Sequence, residues 1–134
     1  MRICFDLDGV LCRLKEAGQT YAEVEPMPGA AEKLRALRKA GHEIVIATAR
    51  HMATCGQNPG KVVARQGLIT LKWLEQHGFE YDEIWFGKPH CEVYIDDNAF
   101  RFTTMNEISD DGLSLPISTE KRQKLSGEKL LDAK

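Results

Sequence analysis

Cysteine is scarce in this 134-residue chain: Cys4, Cys12, Cys55 and Cys91 are the whole set. They form no CxxC pair and no Cys/His spacing of the zinc type, which excludes a zinc module and leaves no disulfide framework to expect. Long apolar runs are absent too. Nothing approaches the roughly 18 residues a membrane helix needs, so no membrane partner is expected. Met1 leads within a few residues into a strand-like run ending in acids, unlike a secretory signal, so a cytoplasmic protein with reduced thiols is expected. A broad basic face is also lacking. The formal net charge is -2 and the lysines and arginines are scattered, apart from a short group at Lys121, Arg122 and Lys124. Nucleic-acid binding driven by phosphate charge is therefore not expected, and the group reads as a solvated face. No internal repeat is present.

Hydrophobic residues make up 43% and charged residues 28% of the chain, an ordinary globular composition. The length allows one domain with its own core. Residues 2–7 read as a short buried strand ending in acids, with a turn at Gly9. Residues 11–27 are polar and without period, a loop or small hairpin that makes a flap. Pro28 and Gly29 open a helix over 30–40 with Leu34 and Leu37 on one face, and Gly41 stops it. The β-branched run Ile44, Val45 and Ile46 predicts a strand over 43–47 of the kind found in covered parallel sheets. A loop follows over 51–60, then a helix over about 62–77 with Leu68, Leu71 and Leu74 spaced for burial and Gly78 closing it. Two further strands are predicted over 83–86 and 92–95. This alternation predicts an α/β fold: a Rossmann-like, doubly wound, mainly parallel sheet with helices on both faces, its site beyond the carboxyl ends of the strands. The core spans 1–117, and 118–134 is a polar segment, helical or loose.

Chemistry gathers at those strand ends. Asp6 and Asp8 lie two apart at the end of the first strand, and alternation aims both carboxylates to one side. Two such groups repel, which raises a pKa or calls for a cation; Mg2+ suits oxygen ligands and phosphate. They could also divide the work of phosphoryl transfer, one attacking phosphorus and one handling protons. Thr48 ends the second strand with a hydroxyl, Lys88 in FGKP follows the third with a positive charge, and Asp96 and Asp97 in VYIDDN close the fourth. Each alone is an ordinary strand exit. Together they form a set that chance turns would seldom reproduce.

DLDGV at 6–10, IVIAT ending at Thr48, Lys88 and IDD ending at Asp97 resemble the motifs of the haloacid dehalogenase superfamily, over about residues 1 to 100. The resemblance implies a phosphohydrolase with Asp6 as nucleophile forming an aspartyl-phosphate and Asp8 as general acid and base. It implies Mg2+ as cofactor, bound by Asp6, by Asp8 through its backbone carbonyl, and by Asp96 or Asp97. Thr48 and Lys88 become phosphate ligands, with Gly9 and Ala49 beside them as substrate contacts. The second aspartate, Asp8, marks the phosphatase rather than the dehalogenase branch. More narrowly, TAR at 48–50 and GKPHCEVYIDDNA at 87–99 are similar to small phosphatases of capsule-polysaccharide biosynthesis, which implies a phosphorylated sugar or related small metabolite as substrate.

The gaps between motifs hold no inserted cap domain, so an open site is expected, closed by a bulky substrate or by a second subunit in a homo-oligomer. Arg50 is expected as a second anion contact, since a guanidinium grips phosphate bidentately, or else as a solvated ion-pair residue. His51 and His90 lie near the substrate's expected position without an assigned role. GQNPGK at 56–61 is one residue short of a phosphate-binding loop and reads as flexible. Two other functions fit the motifs, a phosphoryl-transferring mutase and a phospho-ligand-binding module without turnover.

Overall fold

A computed structural model describes residues 1–117, 120, 121, 123 and 124. Three parallel strands form one sheet in the order β1 (Arg2–Asp6), β2 (Glu43–Thr48), β3 (Glu83–Phe86). The register sets Phe5 beside Ile46 and Asp6 beside Ala47, then Thr48 beside Phe86, so the carboxyl ends lie level. The connections are helical: α1 (Ala30–Lys39) joins β1 to β2, and one long helix joins β2 to β3. That long helix starts as α2 (Pro59–Val62), passes through a π-helical turn at Val63–Gly67 and ends as α3 (Leu68–Gln76). This is the α/β, Rossmann-like parallel sheet expected from the alternation of elements; the helices expected on both faces are not both there among the described residues, because α1 and α3 pack into one core with the same strand residues.

Successive residues of a strand alternate between the sheet's faces. Phe5, Ile44 and Ile46 therefore share a face, and they bury against Leu34 and Leu37 of α1 and Trp73 and Leu74 of α3. The opposite face carries Cys4, Val45, Ala47 and Trp85, with no helix over it among the residues of the named elements. In α3 the buried stripe is Thr70, Trp73 and Leu74, whereas Leu68 and Leu71 are exposed. Steps of three fall about 60° short of a full helical turn, so the expected Leu68, Leu71, Leu74 series drifts off the core, and only its last member is buried. The Trp73 indole donates to the Val24 carbonyl at 2.8 Å, fastening the 11–27 loop to α3. At the base of that loop Met27 N donates to Leu11 O and Arg13 N to Glu25 O, with Leu11, Cys12 and Val24 buried.

The strand expected over 92–95 is not formed. Val93, Tyr94 and Ile95 are exposed, Ile95 at 98%. Local bonds hold the segment instead: the Tyr94 hydroxyl donates to the Pro89 carbonyl, and Asn98 N donates to the Asp96 carboxylate in an Asx turn. Among the described residues no helix is long and apolar enough to cross a membrane.

Gly87, just after β3, sits at φ 101, and a Cβ there would lie 2.7 Å from Pro59 Cγ at the start of the long helix. Gly87→Ala is expected to lower unfolding free energy by about 2 kcal/mol, from backbone strain plus the clash. Gly18→Ala has a similar φ of 83 but open space around it, so it should cost only about 1 kcal/mol. Denaturant titration of the two variants beside the parent checks the difference.

Candidate active site

Asp6 is the last residue of β1, and Leu7 and Asp8 turn the chain away from the sheet. The amides of Val10, Leu11 and Cys12 all point at the Leu7 carbonyl, at 3.2, 2.9 and 3.1 Å, which winds the turn tightly. Gly9 makes that possible at φ 89, a left-handed conformation that a side chain would strain. The Asp6 Oδ1 accepts the Leu7 amide at 2.9 Å and faces Lys88 Nζ at 3.7 Å. Burial holds the Asp6 carboxyl above its ordinary 3.8; Lys88 and the Leu7 amide pull it down, and Asp8 adds to the rise.

Lys88 is placed by the neighbouring strand. The amides of Gly87 and Lys88 donate to the Thr48 carbonyl at 3.2 and 3.1 Å, so the ends of β2 and β3 are locked together. The Lys88 ammonium also lies 4.5 Å from the centre of the Tyr94 ring, a cation–π contact. Thr48 is fully buried; its hydroxyl oxygen accepts the Arg50 amide at 3.0 Å, and among the described residues its O–H makes no hydrogen bond of its own. Ala49 takes part in the same turn through its carbonyl, which accepts the Met52 amide at 2.9 Å.

Arg50 turns inward, onto Asp8. Its Nη2 is 2.8 Å from Asp8 Oδ1 and its Nε 3.1 Å from Oδ2, a bidentate pair. Nη1 donates to Thr70 Oγ1 at 3.2 Å, and the guanidinium carbon lies 4.1 Å from the centre of the Tyr21 ring. The Arg50 side chain is wholly buried while Asp8 keeps 23% exposure. Cys12 completes the enclosure, its Sγ 3.4 Å from Asp8 Oδ1; burial, then the Asp8 charge, push its thiol up to about 12, so it stays protonated and donates. The outward anion contact expected of Arg50 is thus replaced by a grip on the second aspartate. Tyr21, Thr70 and Cys12 had no signal in the sequence, since a tyrosine in a polar loop and a threonine within a helix carry no motif.

Asp96 and Asp97 are not brought to Asp6 and Asp8. Both are exposed, Asp96 caps its own turn, and Asp97 lies 3.3 Å from Lys121. Among the described residues no three His, Cys, Asp or Glu side chains converge as a metal site, so the four-aspartate Mg2+ set is not assembled. Local turn bonds and the Lys121 pair compete successfully for these acids. His51 adopts φ 61, bonds Thr54 through Nδ1 at 2.9 Å and meets the Tyr21 ring edge-on; His90 is tied by its amide to Gln57. Neither ring reaches Asp6 or Asp8 through a hydrogen bond.

The fold and the cluster at its carboxyl edge define an α/β protein with a polar site of Asp6, Asp8, Thr48, Arg50 and Lys88. No protein-family model and no curated protein matches the chain. Among solved structures it is similar to a crystallised target protein from Vibrio cholerae, at 34% identity over 96% of this chain and 98% of that one, with a TM-score of 0.69. The chain belongs to the same family as that protein. A D,D-heptose 1,7-bisphosphate phosphatase from B. bronchiseptica, crystallised with magnesium and phosphate, is a shallower likeness, at 23% identity over 73% of this chain and 53% of that one, with a TM-score of 0.45.

Because the fold favours the neutral form of Asp6, the ionised group costs stability at neutral pH. Wild-type stability from this group is full below the ordinary carboxylate value and falls as pH rises through the elevated one. Asp6→Asn, measured without divalent ions, should therefore melt above the wild type at pH 7, and the two should converge towards pH 3. Thermal scans across that range check the sign.

Proposed function

We propose that the protein is a phosphomonoester hydrolase of the haloacid dehalogenase type. The observation that carries this reading is the placement of Asp6, at the end of β1, against the Lys88 ammonium, with Asp8 two residues further on. Asp6 Oδ1 is occupied by the Leu7 amide, which leaves Oδ2 as the attacking oxygen. Oδ2 would displace the ester oxygen from phosphorus in line, while Asp8 gives a proton to the departing alcohol. Asp8, now a carboxylate, would take a proton from water as that water attacks the aspartyl-phosphate, releasing phosphate and restoring Asp6. Lys88 offsets charge on the transferred phosphoryl group, and the Thr48 O–H is a further donor on the same edge.

Magnesium dependence belongs to this proposal, supported by the two neighbouring carboxylates rather than by an assembled ligand set. A phosphorylated sugar or related small metabolite is the proposed substrate, in keeping with the TAR and GKPHCEVYIDDNA resemblance. The 11–27 loop is the one insertion after the first motif, so the site is proposed to be capless, with a second copy in a homo-oligomer as its closure.

Phosphate release from a panel of sugar, polyol, nucleotide and amino-acid phosphates should appear with Mg2+ and vanish with excess chelator. Asp6→Asn should lower kcat by at least roughly 1000-fold with the folded state intact by circular dichroism. An Asp6→Asn variant that kept most of the activity would remove the nucleophile and with it the mechanism.

A further inference from the structure

We propose that Arg50 is a positioning residue that sets which oxygen of Asp8 moves the proton, an inference that rests on the phosphomonoesterase reading. The two Asp8 oxygens are not equivalent. Among the described residues, Oδ1 faces both Arg50 Nη2 at 2.8 Å and the Cys12 thiol at 3.4 Å, whose other acceptor is the Leu7 carbonyl at 3.6 Å, whereas Oδ2 faces only Arg50 Nε at 3.1 Å. The second acceptor direction of Oδ2 is the one left for a proton, so Oδ2 is the working oxygen.

The guanidinium is itself fixed from every side that would let it swing. Thr70 Oγ1 accepts from Nη1 at 3.2 Å, and Tyr21 stacks over the carbon at 4.1 Å. Thr70 belongs to the first turn of α3, directly after the π-helical turn, so the long helix supplies the backstop for Arg50. A planar fork held at three nitrogens orients a carboxylate in a way that a point charge does not. The proton ledger closes within Asp8: Oδ2–H protonates the departing alkoxide, the resulting carboxylate faces Arg50, and Oδ2 then takes the proton of the attacking water.

Two esters separate this role from the alternatives. A nitrophenolate leaves without needing a proton at neutral pH, while an alkoxide does not. Arg50→Lys should therefore cut kcat/KM, which reports steps only up to alcohol departure, at least tenfold more on glycerol 2-phosphate than on p-nitrophenyl phosphate. Thr70→Val, which keeps the shape and removes the acceptor, should show the same bias at about threefold, and it carries the comparison if Arg50→Lys does not fold. Equal losses in kcat/KM on the two esters would mean that Arg50 serves only folding or holds the phosphate, and they overturn the inference while leaving the phosphatase intact. A folded wild type inert toward both esters and the wider panel overturns the phosphatase reading, and the inference with it.

Discussion

The ion pair between Asp8 and Arg50 is where the separate pieces of the structure meet. Asp8 comes from the exit of β1 and Arg50 from the exit of β2; Thr70 comes from the long helix and Tyr21 from the 11–27 loop. A wholly buried guanidinium is costly unless its charge and donors are satisfied, and here each nitrogen has a partner. Removing one member of such a pair typically costs about 3–5 kcal/mol, because the survivor stays buried and unpaired. The constraint is therefore mutual: neither Asp8 nor Arg50 can be lost without leaving the other's charge unpaired at the sheet's carboxyl edge.

The carboxyl edge then divides into two electrostatic halves. Asp6 faces a long 3.7 Å contact with Lys88 and is held protonation-prone by burial, whereas Asp8 is committed to a close, two-point contact. Two carboxylates two residues apart thus have different surroundings, which is the usual physical basis for giving a nucleophile and a proton carrier different tasks.

Much of this was legible in the sequence. β1, α1, β2 and β3 announced themselves through β-branched runs, a Pro-Gly start and glycine stops, and the level strand ends follow from parallel pairing. Asp6, Thr48 and Lys88 fall where those ends predict. Two things were not legible. Residues 92–95 have strand composition but no partner strand among the described residues, and composition alone cannot tell whether local turn bonds or a sheet edge will win. Arg50 was ambiguous for a different reason: the residues that turn it inward lie far away in the chain, on a loop and a helix whose phase depends on a π-helical turn that has no sequence mark.

The contact between Gly87 and Pro59 carries a consequence for sequence variation. The two positions touch so closely that a side chain at 87 requires the ring at 59 to be gone, and the ring at 59 requires a bare backbone at 87. In this chain a substitution at either site therefore acts on both: the turn after β3 and the start of the long helix are fitted to each other.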